Sequence, residues 1–341
     1  MTMIGKRLAV TAVIGTVLAM TAACSSESGT GASSSAGSDG KKLTIGFAVP
    51  AANQTYWTAY INAVKAKASD LAVEVVFADA KDDANTQTEQ VSSLIVSGVD
   101  GIVLVPTDTV GPKAAVAAAA DAKIPLITSN RILETTYGGV DGAVPYVHVG
   151  FDDVKLGELQ GEMLIEACGD KNPCNVVQLM ATLGSSPQVQ RTQGLDTAIE
   201  GHKSVTILDR QADNFDANKA VELTSTYLQK YDHIDVLVSQ YDEMATAAAR
   251  TIKEAGRSDE IKVLGLGGSK NGIDAVTAGT LLGTVWVSPA LDGTTALESM
   301  LAVLKGDAAS LTTEVVNGIP TVGVPATKVT GDNVADYPGE W

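Results

Sequence analysis

Gln54, Asn130, Arg131 and Arg191 carry planar groups with several hydrogen-bonding atoms. Three aromatic residues, Tyr56, Trp57 and Phe215, join them in a chain that is only 4% aromatic. Guanidinium and amide groups present donors at fixed geometry and so grip hydroxyl groups. Flat rings cover the C–H faces of the same kind of molecule. Together the seven side chains could hold a polyhydroxylated solute, and a buried donor left without its hydroxyl would make a deoxy analogue bind far worse. Each has a plainer alternative. Aromatic residues at a helix start commonly pack into a core, although neighbours on a helix point about 100° apart, so one core ring leaves the other free. Arginines commonly end in surface ion pairs; the position of Arg131 and Arg191 just after strands favours a site.

Patterns for catalysis are missing. There is no nucleophile elbow, no Walker loop and no paired His/carboxylate motif. Gly265-Leu266-Gly267-Gly268 approaches a dinucleotide loop, but residue 270 is Lys and the stretch is not in the first βα unit. His148, His202 and His233 are scattered, without metal-ligand spacing, so neither an enzyme nor a cofactor is expected. Asp242 and Glu243 suit the N-terminus of a following helix better than acid–base work.

The elements that must position these residues alternate strictly. Strands are expected at Leu43 to Val49, Val73 to Phe77, Gly101 to Val105 and Pro125 to Thr128, with helices at Tyr56 to Ser69, Asn85 to Ser97 and Val110 to Ala122. The first helix places Trp57, Tyr60, Ile61, Val64 and Ala68 on one face. The pattern then restarts. Strands at Val176 to Met180, Val205 to Asp209, Val236 to Ser239 and Lys262 to Gly265 alternate with helices at Pro187 to Glu200, Asn218 to Lys230 and Glu243 to Glu254. Such alternation implies parallel sheets covered on both faces, in two similar α/β lobes. Ligands in doubly wound parallel sheets sit beyond the carboxyl ends of the strands, where the seven side chains fall.

The chain opens with Lys6 and Arg7, an uncharged apolar run from Leu8 to Ala23, then Thr21-Ala22-Ala23-Cys24 and a Ser/Gly-rich stretch up to Gly40. That layout reads as a signal peptide over residues 1–23, a lipidated Cys24, and a tether over residues 24–42. An ordinary secretory signal is the alternative, since Thr21 stands where such sites usually carry Leu; both place the remainder outside the cytoplasm. Without Lys6 and Arg7 the chain has 22 basic and 40 acidic residues, a net charge of −18, which disfavours nucleic acid as a partner. No later stretch has the roughly 18 continuous apolar residues of a membrane span. Cys168 and Cys174 flank a Gly/Pro-containing turn; in an oxidising compartment they read most simply as a local disulfide, the alternative being two free buried thiols.

In order along the chain stand Ile45-Gly46-Phe47-Ala48-Val49-Pro50 leading to Asn53-Gln54-Thr55-Tyr56-Trp57, Asp100-Gly101-Ile102-Val103-Leu104-Val105-Pro106, and Ile124-Pro125-Leu126-Ile127-Thr128-Ser129-Asn130-Arg131. Gly184-Ser185-Ser186 with Arg191 and Gly194, Asp213 to Asp216, and Gln240-Tyr241-Asp242-Glu243-Met244 follow. In these segments the chain resembles the sugar-binding proteins of ABC importers, the ribose-binding protein group of the type I periplasmic-binding fold. The resemblance implies two doubly wound parallel-sheet lobes joined by a three-segment hinge, closing on a sugar-like solute. Crossings are expected near Phe151, Val287 and Ile319. The lobes would comprise residues 43–150 plus 288–318 and residues 151–287 plus 319–330, with a tail at residues 331–341. It also implies a monomer that hands its solute to an ABC permease without altering it. A receptor presenting a furanosyl signalling molecule to a transporter or sensor would use the same cleft. Against the family pattern, Leu266-Gly267-Gly268 stands for Phe-Asp-Gly, Tyr241 for Asn and Val287 for Gln, so Tyr241, Gly267 and Val287 join the candidate site and reshape it away from ribose.

Overall fold

A computed structural model describes residues 42–138, 145–311, 313–316 and 318–341. The signal peptide, Cys24 and the tether up to residue 41 lie outside the described residues.

The first half runs β1 (Thr44–Val49), α1 (Thr55–Asp70), β2 (Glu74–Asp79), α2 (Ala84–Val96), β3 (Gly101–Leu104), α3 (Lys113–Asp121), β4 (Leu126–Ser129) and β5 (His148–Gly150). The second runs α4 (Asp153–Cys168), β6 (Cys174–Met180), α5 (Ser186–Ile199), β7 (Val205–Ala212), α6 (Ala217–Lys230), β8 (Val236–Ser239), α7 (Asp242–Glu254), β9 (Lys262–Leu264), α8 (Lys270–Thr277) and β10 (Gly283–Val287). The chain closes with α9 (Pro289–Leu304), β11 (Glu314–Val316), β12 (Ile319–Gly323) and β13 (Ala326–Thr330). One sheet has the order β11-β12-β5-β4-β3-β1-β2, the other β13-β10-β9-β8-β6-β7. Pairing is parallel except at β11–β12 and β10–β13.

The reasons are local. Every residue of β3, β4 and β8 is buried, as sheets covered on both faces require, and the runs are accordingly Gly-Ile-Val-Leu, Leu-Ile-Thr-Ser and Val-Leu-Val-Ser. Helix starts carry oxygen caps: Asp83 accepts from Thr86 N, Asp152 from Val154 N and Lys155 N, and Asp216 from Asn218 N and Lys219 N. The expected face of α1, Trp57, Tyr60, Ile61, Val64 and Ala68, is buried, and Tyr56 with it. An apolar cluster runs continuously from Phe47 and Tyr60 through Phe151 and Val287 into Val176 and Val285, so the two sheets share packing beside the hinge.

The chain leaves the first sheet after Gly150 and returns after Val287, to α9, which packs on α1. The third crossing is not near Ile319. Ile319–Gly323 pairs in parallel with β5, Thr321 opposite His148, and Val324 N donates to Gly150 O at 2.9 Å. This strand is therefore part of the first sheet, and the chain crosses between Gly323 and Ala326. A β11–β12 hairpin at the sheet edge accounts for the displacement. Cys168 and Cys174 form a disulfide, with Cα atoms 5.7 Å apart, closing the turn from α4 into β6. No helix among the described residues is long and apolar enough to cross a membrane.

Candidate functional site

All ten residues singled out from the sequence, Gln54, Tyr56, Trp57, Asn130, Arg131, Arg191, Phe215, Tyr241, Gly267 and Val287, line one cleft at the carboxyl ends of the two sheets. Phe151, Pro187, Leu266 and Trp341 line it too. Gln54 is the residue before α1, so Tyr56 and Trp57 enter on its first turn. Asn130 follows β4 with φ of 59°, a left-handed conformation that Asn tolerates better than most residues and that turns the chain back along the cleft. Tyr241 precedes α7, and Phe215 follows β7, its ring centroid 4.9 Å from that of Tyr241 with the rings edge to face. Trp286, next to Val287, faces away from the cleft: its ring meets Tyr337 at 5.5 Å and its Nε1 donates to Pro338 O at 2.9 Å.

On the first lobe the site stands on a buried carboxylate. Asp292, in the first turn of α9, accepts from Tyr56 OH at 2.8 Å, from Asn130 Nδ2 at 2.7 Å and from Ser129 Oγ at 3.4 Å. Asn130 Nδ2 also reaches Tyr56 OH at 3.0 Å, and Tyr60 OH lies 2.9 Å from Ser129 Oγ. Burial pushes the Asp292 carboxyl up to about 7 against the pull of these donors. The Tyr56 hydroxyl is raised by burial and then by Asp292. Tyr56 and Asn130 are thereby fixed before any ligand arrives.

Arg131 is 5% exposed and lies over the Trp57 ring, its guanidinium carbon 5.6 Å from the ring centroid. Its Nη1 donates to Thr107 O at 3.1 Å and Pro106 O at 3.4 Å. Burial lowers its pKa, Asp82 opposes this, and the positive charge of Arg191 adds to the lowering.

Arg191 owes its position to two glycines. A Cβ on Gly194 would overlap the Val154 carbonyl oxygen, and one on Gly157 would overlap the Arg191 carbonyl, so α4 and α5 pack backbone to backbone. That approach brings Asp153, at the start of α4, to Arg191: Nε donates to Asp153 Oδ1 at 2.7 Å, and Nη1 donates to Gln240 O at 3.0 Å. Burial raises Asp153 and Arg191 pulls it back. Asp153 pairs with Arg191 from behind the cleft, and no carboxylate stands among the cleft-lining residues themselves, which include both arginines. Across the mouth of the cleft Ile132 N donates to Ser186 Oγ at 3.0 Å, joining the loop after β4 to the start of α5.

Asp242 is buried. It accepts from Ser269 N at 2.8 Å and Thr284 Oγ1 at 2.7 Å, tying the starts of α7 and α8 to β10. It supports the loop that carries Leu266 and Gly267. Asp153, Asp292 and Trp341 escaped the sequence reading. The carboxylates act from behind the residues it identified, and Trp341 follows the last strand with no periodic pattern to mark it.

A family model described as a periplasmic binding protein domain matches residues 45–308. The xylitol-binding protein of Mycolicibacterium smegmatis is 32% identical over 265 residues, covering 77% of this chain and 70% of that protein. The ribose import binding protein of Escherichia coli is 29% identical over 266 residues, covering 78% and 86%. Among solved structures, an ABC transporter solute binding protein from Bacillus halodurans with bound myo-inositol superposes with a TM-score of 0.77 at 26% identity, over 89% of this chain and 100% of that one. A Mycobacterium smegmatis protein in complex with β-D-fucofuranose gives 0.77 at 25% identity, over 86% and 93%. The two lobes are those of the type I periplasmic-binding fold, and the chain belongs to the periplasmic binding protein family, whose members bind solutes outside the cytoplasm and are not enzymes.

Proposed function

We propose that this chain is the solute-binding component of an ABC importer and that its solute is a sugar or polyol. The observation that carries the proposal is the convergence in one cleft of two buried guanidinium groups and Asn130 with the rings of Tyr56, Trp57 and Phe215. Arg131 and Asn130 come from one lobe and Arg191 from the other, so a guest holding both sides favours the closed form. Only such differential binding shifts an open–closed equilibrium. The three chain crossings act as the hinge. The names of the relatives agree in ligand class: xylitol and ribose for the two proteins, myo-inositol and fucofuranose for the two structures. Within this proposal Cys24 carries a lipid that keeps the protein, a monomer, at the membrane outside the cytoplasm, where it delivers its solute to a permease.

A thermal-shift screen tests the ligand class, because a molecule that binds only the native form raises the melting temperature. The panel comprises xylitol, myo-inositol, D-ribose, D-galactose and D-fucose, with amino acids as the contrasting class. A rise with at least one sugar or polyol and none with amino acids is expected; a rise with amino acids alone would refute the proposal.

A further inference from the structure

Apart from Arg191, the second lobe offers the cleft a wall of rings, aliphatic groups and glycine, with Tyr241, Leu266, Gly267 and Val287 at its centre. Trp341 lies on that wall. Its ring centroid is 5.1 Å from that of Tyr241 of the second lobe and 5.4 Å from that of Tyr56 of the first, the last two rings lying at 78° to each other. We infer that Trp341 is a ligand-contacting residue, its indole face set against the C–H side of the bound sugar or polyol. The inference deepens the sugar-binding proposal and rests on it.

Three independent features place the indole there. First, the backbone makes room for it. Gly267 has φ of 141°, and a Cβ on it would stand 2.9 Å from Trp341 Cζ2, while a Cβ on Gly268 would collide with Trp286. Any other residue at either position would displace a tryptophan.

Second, the segment that carries Trp341 is pinned at several points. Lys270 N, at the start of α8, donates to Trp341 O at 2.6 Å, and Ser288 Oγ donates to Glu340 Oε2 at 2.6 Å. Behind them Trp286 donates to Pro338 O and packs at a tilt against Tyr337. The indole is therefore held against the cleft by Lys270 and Trp286 of the second lobe and by Ser288 where the chain re-enters the first, and it meets the first-lobe ring of Tyr56 at a steep angle, a position that closes one side of the cavity when the lobes approach.

Third, Trp341 Nε1 is buried without a hydrogen-bond acceptor among the described residues. Buried donors are normally satisfied, and a lone one is costly. An oxygen on a guest that nudges the ring would supply the missing acceptor.

The test uses calorimetry and tryptophan emission with whichever members of the sugar and polyol panel bind the parent protein. Trp341→Ala is expected to weaken binding about tenfold or more, as loss of a well-packed aromatic contact does. Trp341→Phe keeps a ring and should lose less, but it should remove part of the binding-induced emission change, which Trp286→Phe should leave intact. Unaltered or tighter binding by Trp341→Ala would overturn the inference. So would an emission response untouched in Trp341→Phe, or reduced equally in Trp341→Phe and Trp286→Phe, since the latter would mark packing of the segment rather than ligand contact. If Trp341→Ala does not fold, the emission comparison decides alone. A parent protein that binds no panel member refutes the sugar-binding proposal itself, and this inference with it.

Discussion

Asp292 should make the protein less stable as the solution becomes less acidic, and Asp292→Asn should remove that dependence. The carboxyl is fully buried and is held by three neutral donors, with no cationic side chain in salt-bridge reach among the described residues. Burial raises its pKa from the ordinary 3.8 to about 7. Between those values the native protein keeps a proton that the unfolded chain releases. The stabilisation is therefore complete below about pH 4 and is lost as pH rises through about 7. The displacement corresponds to on the order of 4 kcal/mol, or about 1.4 kcal/mol per pH unit where only the native form is protonated. Asp213 and Glu243, pushed up to about 7, and Asp242, pushed up to about 6, act with the same sign in parent and variant alike. Subtracting the two proteins leaves Asp292 together with its repulsion from Asp153, whose carboxyl burial also raises. The assay is urea unfolding of both from pH 5 to pH 7.5, with the m-value checked for constancy. The stability of the parent relative to Asp292→Asn should fall by about 1.4 kcal/mol per pH unit between pH 5 and 6.5. A difference that stays flat across that range would show that Asp292 is already ionised in the native protein and that the reasoning fails.

Other consequences are as open to measurement. Gly194→Ala forces a methyl group into the Val154 carbonyl and should cost about 1–3 kcal/mol in chemical unfolding. Because the same helix contact sets Arg191 against Asp153, that variant should also bind more weakly. Replacing Cys168 and Cys174 together by Ser should lower stability by about 2 kcal/mol, read as a shift in the urea midpoint under non-reducing conditions. If Cys24 carries the lipid, Cys24→Ala should move the protein from the membrane to the soluble fraction, and mass spectrometry of the parent should find an acylated cysteine at its N-terminus.

Much of the lobes was legible because parallel strands buried on both faces must be written in apolar, β-branched runs. Thr44–Val49, Gly101–Leu104 and Val236–Ser239 are such runs, and the helices between them carry an apolar face. Short elements were less visible. The three-residue strand His148–Gly150 contains a histidine and a glycine, and its identity depends on being sandwiched between β4 and β12. The third crossing was misplaced for a related reason: Ile319–Gly323 is assigned to its sheet by a partner some 170 residues earlier, not by its own composition. The cleft-lining residues were legible because strand ends locate the loops that hold Asn130, Arg131 and Phe215, while Tyr56, Trp57 and Arg191 stand early in the helices that follow such loops. What supports those residues was not. Asp292 lies 162 positions from Asn130 and Asp153 lies 38 from Arg191, and nothing local in either carboxylate's surroundings names its partner. Trp341 depends on the space beside Gly267, which only the folded chain reveals.

The claim on which the rest depends is that one guest is gripped from both lobes at once. The most direct measurement is calorimetric titration of the parent, Arg131→Ala and Arg191→Ala with the sugar or polyol that gives the largest thermal shift. Arg131 presents its guanidinium from the loop after β4 and Arg191 from α5, so each variant should lose at least about tenfold in affinity. If removal of either guanidinium leaves the affinity of the parent intact, the guest is not held between the lobes in the way described.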